Sequence, residues 1–152
     1  MTPSNSQRFL AAAGLLSAGI AVFHFVIVFA GPDAYGFFGA ADLGALERQG
    51  SAVPDLLTAL LVLVFAAFAF YAFAGTGRVW WRPPFLAAGL ATIGMLYTLR
   101  GLLLVPQLLQ LGSAAARGHL RYGVFSFVAL VTGLCYLAGT LTQWRTLRGR
   151  KA

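Results

Sequence analysis

Charged residues are scarce in this sequence of 152 residues, and acidic residues are the scarcest of them. Charged residues make up 10% of the chain, compared with about 25% in an average soluble domain. Hydrophobic residues make up 59%, and all four acids fall between positions 33 and 55. This composition excludes an ordinary soluble domain. The net charge of +7 comes mostly from basic residues that flank hydrophobic stretches, so we expect no nucleic-acid partner.

Cysteine and histidine are also few, which limits the possible metal and cofactor sites. Cys135 is the only cysteine, so the chain has no internal disulfide. It lies in a hydrophobic stretch, where a lone cysteine acts as a small apolar residue. Together with His24 and His119 it supplies too few ligands for a zinc site built from several Cys and His side chains. A bis-histidine haem would need both histidines at one depth, but His119 follows the third hydrophobic stretch. We therefore predict neither a metal nor a cofactor.

Known catalytic motifs are absent as well. No serine or cysteine nucleophile stands with an adjacent base and an orienting acid. The sequence has no HExxH motif and no glycine-rich phosphate loop. The hydrophobic stretches carry no carboxylate near their middle, which a small proton-coupled exporter would normally have. These absences weigh against an enzymatic function, and no residue is assigned a catalytic role.

Four long hydrophobic stretches occupy most of the chain, at residues 9–30, 55–74, 85–111 and 122–141. A membrane-spanning helix needs roughly 20 apolar residues to cross a bilayer core of about 30 Å. We therefore predict an all-α integral membrane four-helix bundle, with residues 1–152 forming a single transmembrane domain. The first stretch is longer than the ~7–15 apolar residues of a signal peptide. We expect it to be retained as a helix.

Basic residues are distributed unequally between the two sides of the predicted bundle. One side holds Arg8, Arg78, Arg82, Arg145, Arg148, Arg150 and Lys151, and the other holds Arg48, Arg117 and Arg121. The positive-inside rule then places both termini in the cytoplasm, and three tryptophans, Trp80, Trp81 and Trp144, fall on the same side. The Ala-, Leu- and Arg-rich composition suggests a bacterial inner (plasma) membrane protein. Membrane lipids are the expected partners of the flanking arginines.

The longest connection, residues 31–52, is predicted to be an outer loop at the membrane interface. Gly31 and Pro32 end the first helix, because proline cannot continue the backbone hydrogen bonding. Three aromatic residues follow at positions 35–38, and residues 40–49 fit a short helix ended by Gly50. Two interpretations remain open for this loop. It is either an interfacial cap over the helix ends or a cover over a binding site.

Arg100 is the most informative residue, because it lies deep in the third hydrophobic stretch. A guanidinium in hydrocarbon costs at least ~2.5–3.5 kcal/mol, so such residues are usually paired or hydrated. Two interpretations are open. Arg100 either extends its side chain outward to water or pairs with Asp55, which stands at the outer end of the second helix.

Polar residues around Arg100 predict the lining of a cavity. A spacing of three and four residues places one set on a single face of the third helix: Tyr97, Arg100, Leu104, Gln107 and Leu111. Pro106 cannot donate to the carbonyl of Leu102, which predicts a kink there. His24, in the outer half of the first helix, is either a buried imidazole bonded to a neighbouring helix or a ligand or proton-relay residue.

The other three helices each have a predicted face of small or polar residues, which would allow close helix packing. These faces are Gly14, Ser17, Ala21 and His24 on the first helix; Asp55, Thr58, Ala59, Val62, Ala66 and Ala69 on the second; and Gly123, Ser126, Leu130, Gly133, Leu137 and Thr140 on the fourth.

Three functions remain open from the sequence. The first is a binding or carrier protein whose outward-facing pocket takes an amphipathic or anionic small molecule of lipid or quinone type. Its ligand-binding residues would be His24, Asp55, Tyr97, Arg100 and Gln107. The second is a structural or accessory subunit that contacts a membrane partner protein. The third is an oligomeric channel lined by Arg100, formed as a homo-oligomer.

Two short segments carry a resemblance to a known family. They are Gly31-Pro32 with Tyr35-Gly36-Phe37-Phe38-Gly39, and Leu99-Arg100-Gly101-Leu102 with Pro106-Gln107. With the number and size of the spans, they resemble the small four-helix proteins of bacterial inner membranes, broadly of the DoxX-like kind. The resemblance covers the whole chain and implies a four-helix membrane fold. It implies no activity and no site residue.

Overall fold

A computed structural model describes residues 4–109 and 116–149, and this part of the chain contains helices and no strand. The helices are α1 (Asn5–Ala30), α2 (Pro32–Phe37), α3 (Ala41–Arg48), α4 (Val53–Gly75), α5 (Leu86–Leu102), α6 (Leu104–Leu109), α7 (Ala116–Thr142) and α8 (Trp144–Gly149).

Four helical segments are long and apolar enough to cross a membrane: Asn5–Ala30, Val53–Gly75, Leu86–Leu109 and Leu120–Thr142. The predicted all-helical class and the number of spans are thus confirmed. The first and last spans belong to helices that extend beyond their hydrophobic stretches, because polar residues continue them. α1 begins at Asn5, since Ser4 and Gln7 form a reciprocal cap. The Ser4 amide donates to Gln7 Oε1 at 3.0 Å, and the Gln7 amide donates to Ser4 Oγ at 3.4 Å.

The third span is interrupted where the sequence predicts a kink. α5 ends at Leu102 and α6 begins at Leu104, so the break at Leu103 falls three residues before Pro106. Proline lacks an amide hydrogen, so Pro106 donates no bond to the Leu102 carbonyl. The next amide, that of Gln107, donates to the Leu103 carbonyl at 3.3 Å. The chain therefore regains helical bonding directly after the proline.

The chain forms two compact units. The first unit comprises Met1–Leu16 and Phe68–Ala152, and the second comprises Ser17–Ala67.

In the first unit, α5 and α7 pack closely and run antiparallel. A Cβ at Gly101 would lie 2.5 Å from the backbone of Leu130, and one at Gly94 would lie 3.0 Å from the Cβ of Tyr136. These pairs fix the register, because residue numbers rise along α5 as they fall along α7. Leu10 and Tyr136 are fully buried. The Tyr136 hydroxyl donates to the Phe68 carbonyl at 2.8 Å.

In the second unit, α2 and α3 pack on each other within the predicted loop. α3 lies inside the range 40–49 for which the sequence predicts a short helix, and Gly50 follows it with a φ of 80°. Gly44 approaches the Pro32 carbonyl so closely that no side chain would fit. Tyr35 is buried at 3% exposure. Arg48 pairs with Asp33 at 2.7 Å, and both side chains are exposed.

The small-residue faces are only partly as predicted. On α1, Gly14, Ser17 and Ala21 are buried as expected. On α4, however, Ala59 and Ala66 are exposed, and the prediction is wrong for these two residues. Alanine fits an exposed helix surface as well as a helix contact, so its size alone does not decide burial.

Candidate functional site

Arg100 lies on the surface of α5 and bonds to the neighbouring helix. Its side chain is exposed, and its Nη1 donates a hydrogen bond of 2.9 Å to the Oγ of Ser126 on α7. Ser126 itself is 0% exposed. The charged group therefore has an anchored protein partner, while much of the side chain remains open to its surroundings.

The register of the two helices shows the direction in which Arg100 extends. Because Gly101 stands opposite Leu130, the backbone of Arg100 lies near the level of residue 131. Ser126 is five residues nearer to the start of α7, which is about 7.5 Å at 1.5 Å per residue. The guanidinium thus reaches toward the end of the unit at which α7 begins, as long basic side chains do near a membrane surface.

Further polar residues lie near the level of Ser126. Gln107 stands on α6, which packs against α7, and its Oε1 is buried and accepts no hydrogen bond from the described part of the chain. Tyr122 precedes Ser126 by one helical turn and accepts a bond of 3.1 Å from Arg121 Nη2. The Arg121 guanidinium carbon also lies 4.9 Å from the centre of the Tyr122 ring. We call Arg100, Gln107, Arg121, Tyr122 and Ser126, which lie near one level of the helices and include the contacts Arg100–Ser126 and Arg121–Tyr122, the Arg100 cluster.

The charged residues of the first unit are all basic. Its sequence contains no acidic residue, whereas it contains every basic residue of the chain except Arg48. No side chain of the first unit therefore offers a carboxylate to Arg100 or Arg121. Guanidinium groups bind carboxylates and phosphates through paired hydrogen bonds. The Arg100 guanidinium, which gives one bond to Ser126, can accordingly bind an anion through its other donors.

Tyr97, also predicted as a ligand-binding residue, lies in an aromatic cluster. It is 5% exposed, and its ring stacks on Tyr136 with 5.8 Å between centroids. The Phe68 ring meets it edge-on at 5.9 Å. Its position is explained by packing among rings, which prefer such arrangements.

His24 and Asp55 belong to the second unit and lie at different levels. His24 Nδ1 is 2.8 Å from the carbonyl of Ile20 on its own helix, and its ring centroid is 4.9 Å from that of Phe65. Asp55 is ten residues before Phe65 on α4, which corresponds to about 15 Å along the helix. From the sequence, a bond from His24 to a neighbouring helix was one interpretation. The bond that His24 makes is instead to a carbonyl of its own helix, α1.

Asp55 takes part in a hydrogen-bonded chain with Tyr35 and Thr58. The Tyr35 hydroxyl donates to Asp55 Oδ1 at 3.3 Å and accepts from Thr58 Oγ1 at 3.1 Å. Burial raises the pKa of the Tyr35 hydroxyl above 10.0. The bond from Thr58 lowers this pKa, and the negative charge of Asp55 raises it again. The network attaches α2 to the first turns of α4.

Of the five residues predicted from the sequence, Arg100 and Gln107 fall in the Arg100 cluster. Tyr97 lies in the aromatic cluster of the same unit, and His24 and Asp55 lie in the second unit. The joint site of all five stays a prediction, as does the Arg100–Asp55 contact. Arg121, Tyr122 and Ser126 were not predicted as site residues. The spacing of Tyr122 and Ser126, one turn apart on α7, is the signal that could have found these two.

A metal site finds no support among residues 4–109 and 116–149, where no group of three or more His, Cys, Asp and Glu side chains is placed to hold an ion.

The fold and the charge distribution define the class of protein. Four helices long and apolar enough to cross a bilayer, with few residues outside them, make this chain a multi-pass membrane protein. No family model matches the chain, and neither a curated protein nor a solved structure does so. The resemblance to DoxX-like proteins therefore stays a proposal.

Proposed function

We propose that this protein binds or carries an amphipathic molecule with an anionic headgroup, and that the Arg100 cluster holds the headgroup. The bond from Arg100 to Ser126 is the observation that carries the proposal. It fixes an exposed guanidinium in a unit whose sequence has no acid to neutralise it.

The remaining donors of Arg100 suit a carboxylate or a phosphate. A guanidinium has five N–H donors, and Ser126 receives one of them. The others can form paired, charge-assisted bonds with two oxygens of one headgroup. The exposed side chains of Leu96 and Leu99 on α5, and of Leu103 directly after it, lie next to Arg100 in the chain and offer an apolar surface for the tail.

The proposal includes a placement in the membrane. Both termini face the cytoplasm of a bacterium, the protein lies in the inner membrane, and the Arg100 cluster lies in the outer half of the bilayer. The excess of basic residues beside the termini and in the α4–α5 turn supports this orientation. In this placement the segment from α2 to α3 lies at the outer interface.

A second candidate is an accessory subunit with no ligand of its own. The Arg100–Ser126 bond favours it too, because a bond between two helices can serve to align them. Under this function the exposed apolar surface of α5 would contact a membrane partner protein.

Ligand-induced stabilisation separates the two functions. The purified protein in uncharged detergent is heated with oleate, with dioleoyl phosphatidate, or with the neutral probes oleyl alcohol and a quinone. We expect oleate or phosphatidate to raise the Tm more than the neutral probes do, because a bound ligand stabilises the folded state. A rise in Tm with oleate alone would indicate a carboxylate headgroup, and a rise with phosphatidate alone would indicate a phosphate headgroup.

Two variants locate the binding. Arg100→Gln should abolish the response to oleate, and Arg145→Gln, which changes an exposed arginine on α8, should preserve it. An equal response to the neutral probes, or an unchanged response in Arg100→Gln, would overturn the proposed function.

A further inference from the structure

The turn between α4 and α5, residues 76–85, presents its largest apolar side chains outward. Trp80 is 95% exposed and Phe85 is 86% exposed, the highest values among the large hydrophobic side chains of the described chain. Arg78 is exposed beside them, and Arg82 is half-buried. No acid lies near them in the sequence.

The inner side of this turn is held by several contacts. The Thr76 hydroxyl donates to the Phe73 carbonyl at 2.7 Å, and the Gln7 side chain donates to the Thr76 carbonyl at 3.1 Å. The Trp81 ring stacks on Phe70 with 5.5 Å between centroids. Trp80 and Phe85 are therefore exposed on a fixed turn, and their outward position does not result from a lack of local structure.

Phe85 also has an unusual backbone conformation. Its φ of 53° lies in the left-handed region, and it is the only residue other than glycine with a positive φ in the described chain. A Cβ is strained in this region, and glycine would relieve the strain. Because the Phe85 side chain is 86% exposed, it makes few contacts within the protein that would offset this strain.

The position of the turn identifies what covers these side chains. It joins two helices that each cross the membrane, so it lies at a bilayer surface. Tryptophan and other aromatic rings favour the headgroup layer, and basic residues near the surface attract anionic lipids. We infer that the α4–α5 turn is a docking site for anionic phospholipid headgroups, with Trp80 and Phe85 inserted at the interface and the two arginines bound to lipid phosphates.

Fluorescence quenching of Trp80 tests the inference in the full-length protein. Trp81→Phe and Trp144→Phe leave Trp80 as the only tryptophan, and the first of these substitutions keeps an aromatic ring against Phe70. The protein is placed in vesicles of phosphatidylcholine with a minor, constant fraction of phosphatidylglycerol. In one preparation the phosphatidylglycerol carries brominated acyl chains, and in a second preparation the phosphatidylcholine does. Per brominated lipid molecule, we expect phosphatidylglycerol to quench Trp80 at least about twofold more strongly than phosphatidylcholine does.

Three comparisons decide the result. Arg78→Gln with Arg82→Gln should remove the preference for phosphatidylglycerol, whereas Arg100→Gln should preserve it, which separates this docking site from the Arg100 cluster. Phe85→Gly should make Trp80 more accessible to aqueous acrylamide while the Tm in detergent does not fall, because the backbone strain is relieved. Equal quenching by the two lipids, or a Trp80 fully accessible to acrylamide in wild-type vesicles, would overturn the inference.

Discussion

Arg100 of α5 donates a hydrogen bond of 2.9 Å to the Oγ of Ser126 of α7. Residue 131 of α7 lies opposite the Arg100 backbone, and Ser126 is five residues nearer to the start of α7. The bond joins an exposed charge to a fully buried hydroxyl. It thereby sets the position of the guanidinium relative to both helices. The proposed headgroup site depends on that position.

Removal of the hydroxyl should weaken the helix pair. We expect Ser126→Ala to lower the free energy of unfolding in detergent by about 1 kcal/mol, and its effect should be coupled to that of Arg100→Gln in a double-mutant cycle. Thr132→Val is the control, because the Thr132 hydroxyl donates to Val128 on its own helix at 2.7 Å. Strictly additive losses for Ser126→Ala and Arg100→Gln would show that the bond contributes nothing.

Glycine at position 101 should be required for the close approach of α5 and α7. An added Cβ would lie 2.5 Å from the backbone of Leu130, so we expect Gly101→Ala to destabilise the protein by ~1–3 kcal/mol. Gly19→Ala is the control, because no atom lies within 4 Å of its added Cβ and alanine favours helix formation. Thermal unfolding of both variants in one detergent measures the difference. Similar Tm values for the two would argue against the packing of α5 on α7.

Tyr35 should make the stability of the protein sensitive to alkaline pH. Its pKa is raised above 10.0 mainly by burial, so the folded state favours the neutral hydroxyl. This contribution is complete below pH 10.0 and is lost as the pH rises through the folded-state pKa. We expect the wild-type Tm to fall more steeply above pH 10.0 than that of Tyr35→Phe. Parallel curves would mean that Tyr35 ionises equally in the folded and unfolded states.

The geometry of Arg100, in addition to its charge, should matter for ligand binding. Lysine keeps the positive charge but lacks the planar fork of donors, so Arg100→Lys should weaken binding of oleate or phosphatidate. Loss of one charge-assisted hydrogen bond costs ~1.5–3 kcal/mol, which corresponds to about tenfold or more in affinity. Ligand titration followed by Tm measures the change. Wild-type affinity in Arg100→Lys would indicate that the site attracts the headgroup by charge alone.

The sequence predicted the spans because hydrophobic length is a local property. Its stretches at 85–111 and 55–74 correspond to α5 with α6 and to α4, and Pro106 indicated the break after Leu102. The helix α8, Trp144–Gly149, was not predicted, since its basic composition lacks an apolar run. Helix ends set by polar caps are likewise invisible to a hydrophobic pattern.

The partners of the polar residues were harder to predict, because they depend on the register between helices. Ser126 was placed on the small face of the fourth helix, but nothing local shows that Arg100 reaches it. In the same way, nothing local in the sequence shows that the Tyr35 hydroxyl bonds to Asp55 and Thr58. The predicted Arg100–Asp55 contact can be tested by a double-mutant cycle of Arg100→Gln and Asp55→Asn, in which coupling would support the contact.

An experimental density map of the protein with oleate brominated near its carboxylate tests the central claim most directly. We expect the carboxylate oxygens within hydrogen-bond distance of the Arg100 guanidinium, which keeps its bond to Ser126. We also expect the bromine signal beside the exposed surface of α5. A bromine signal elsewhere, with Arg100 bonded to protein alone, would contradict the central claim.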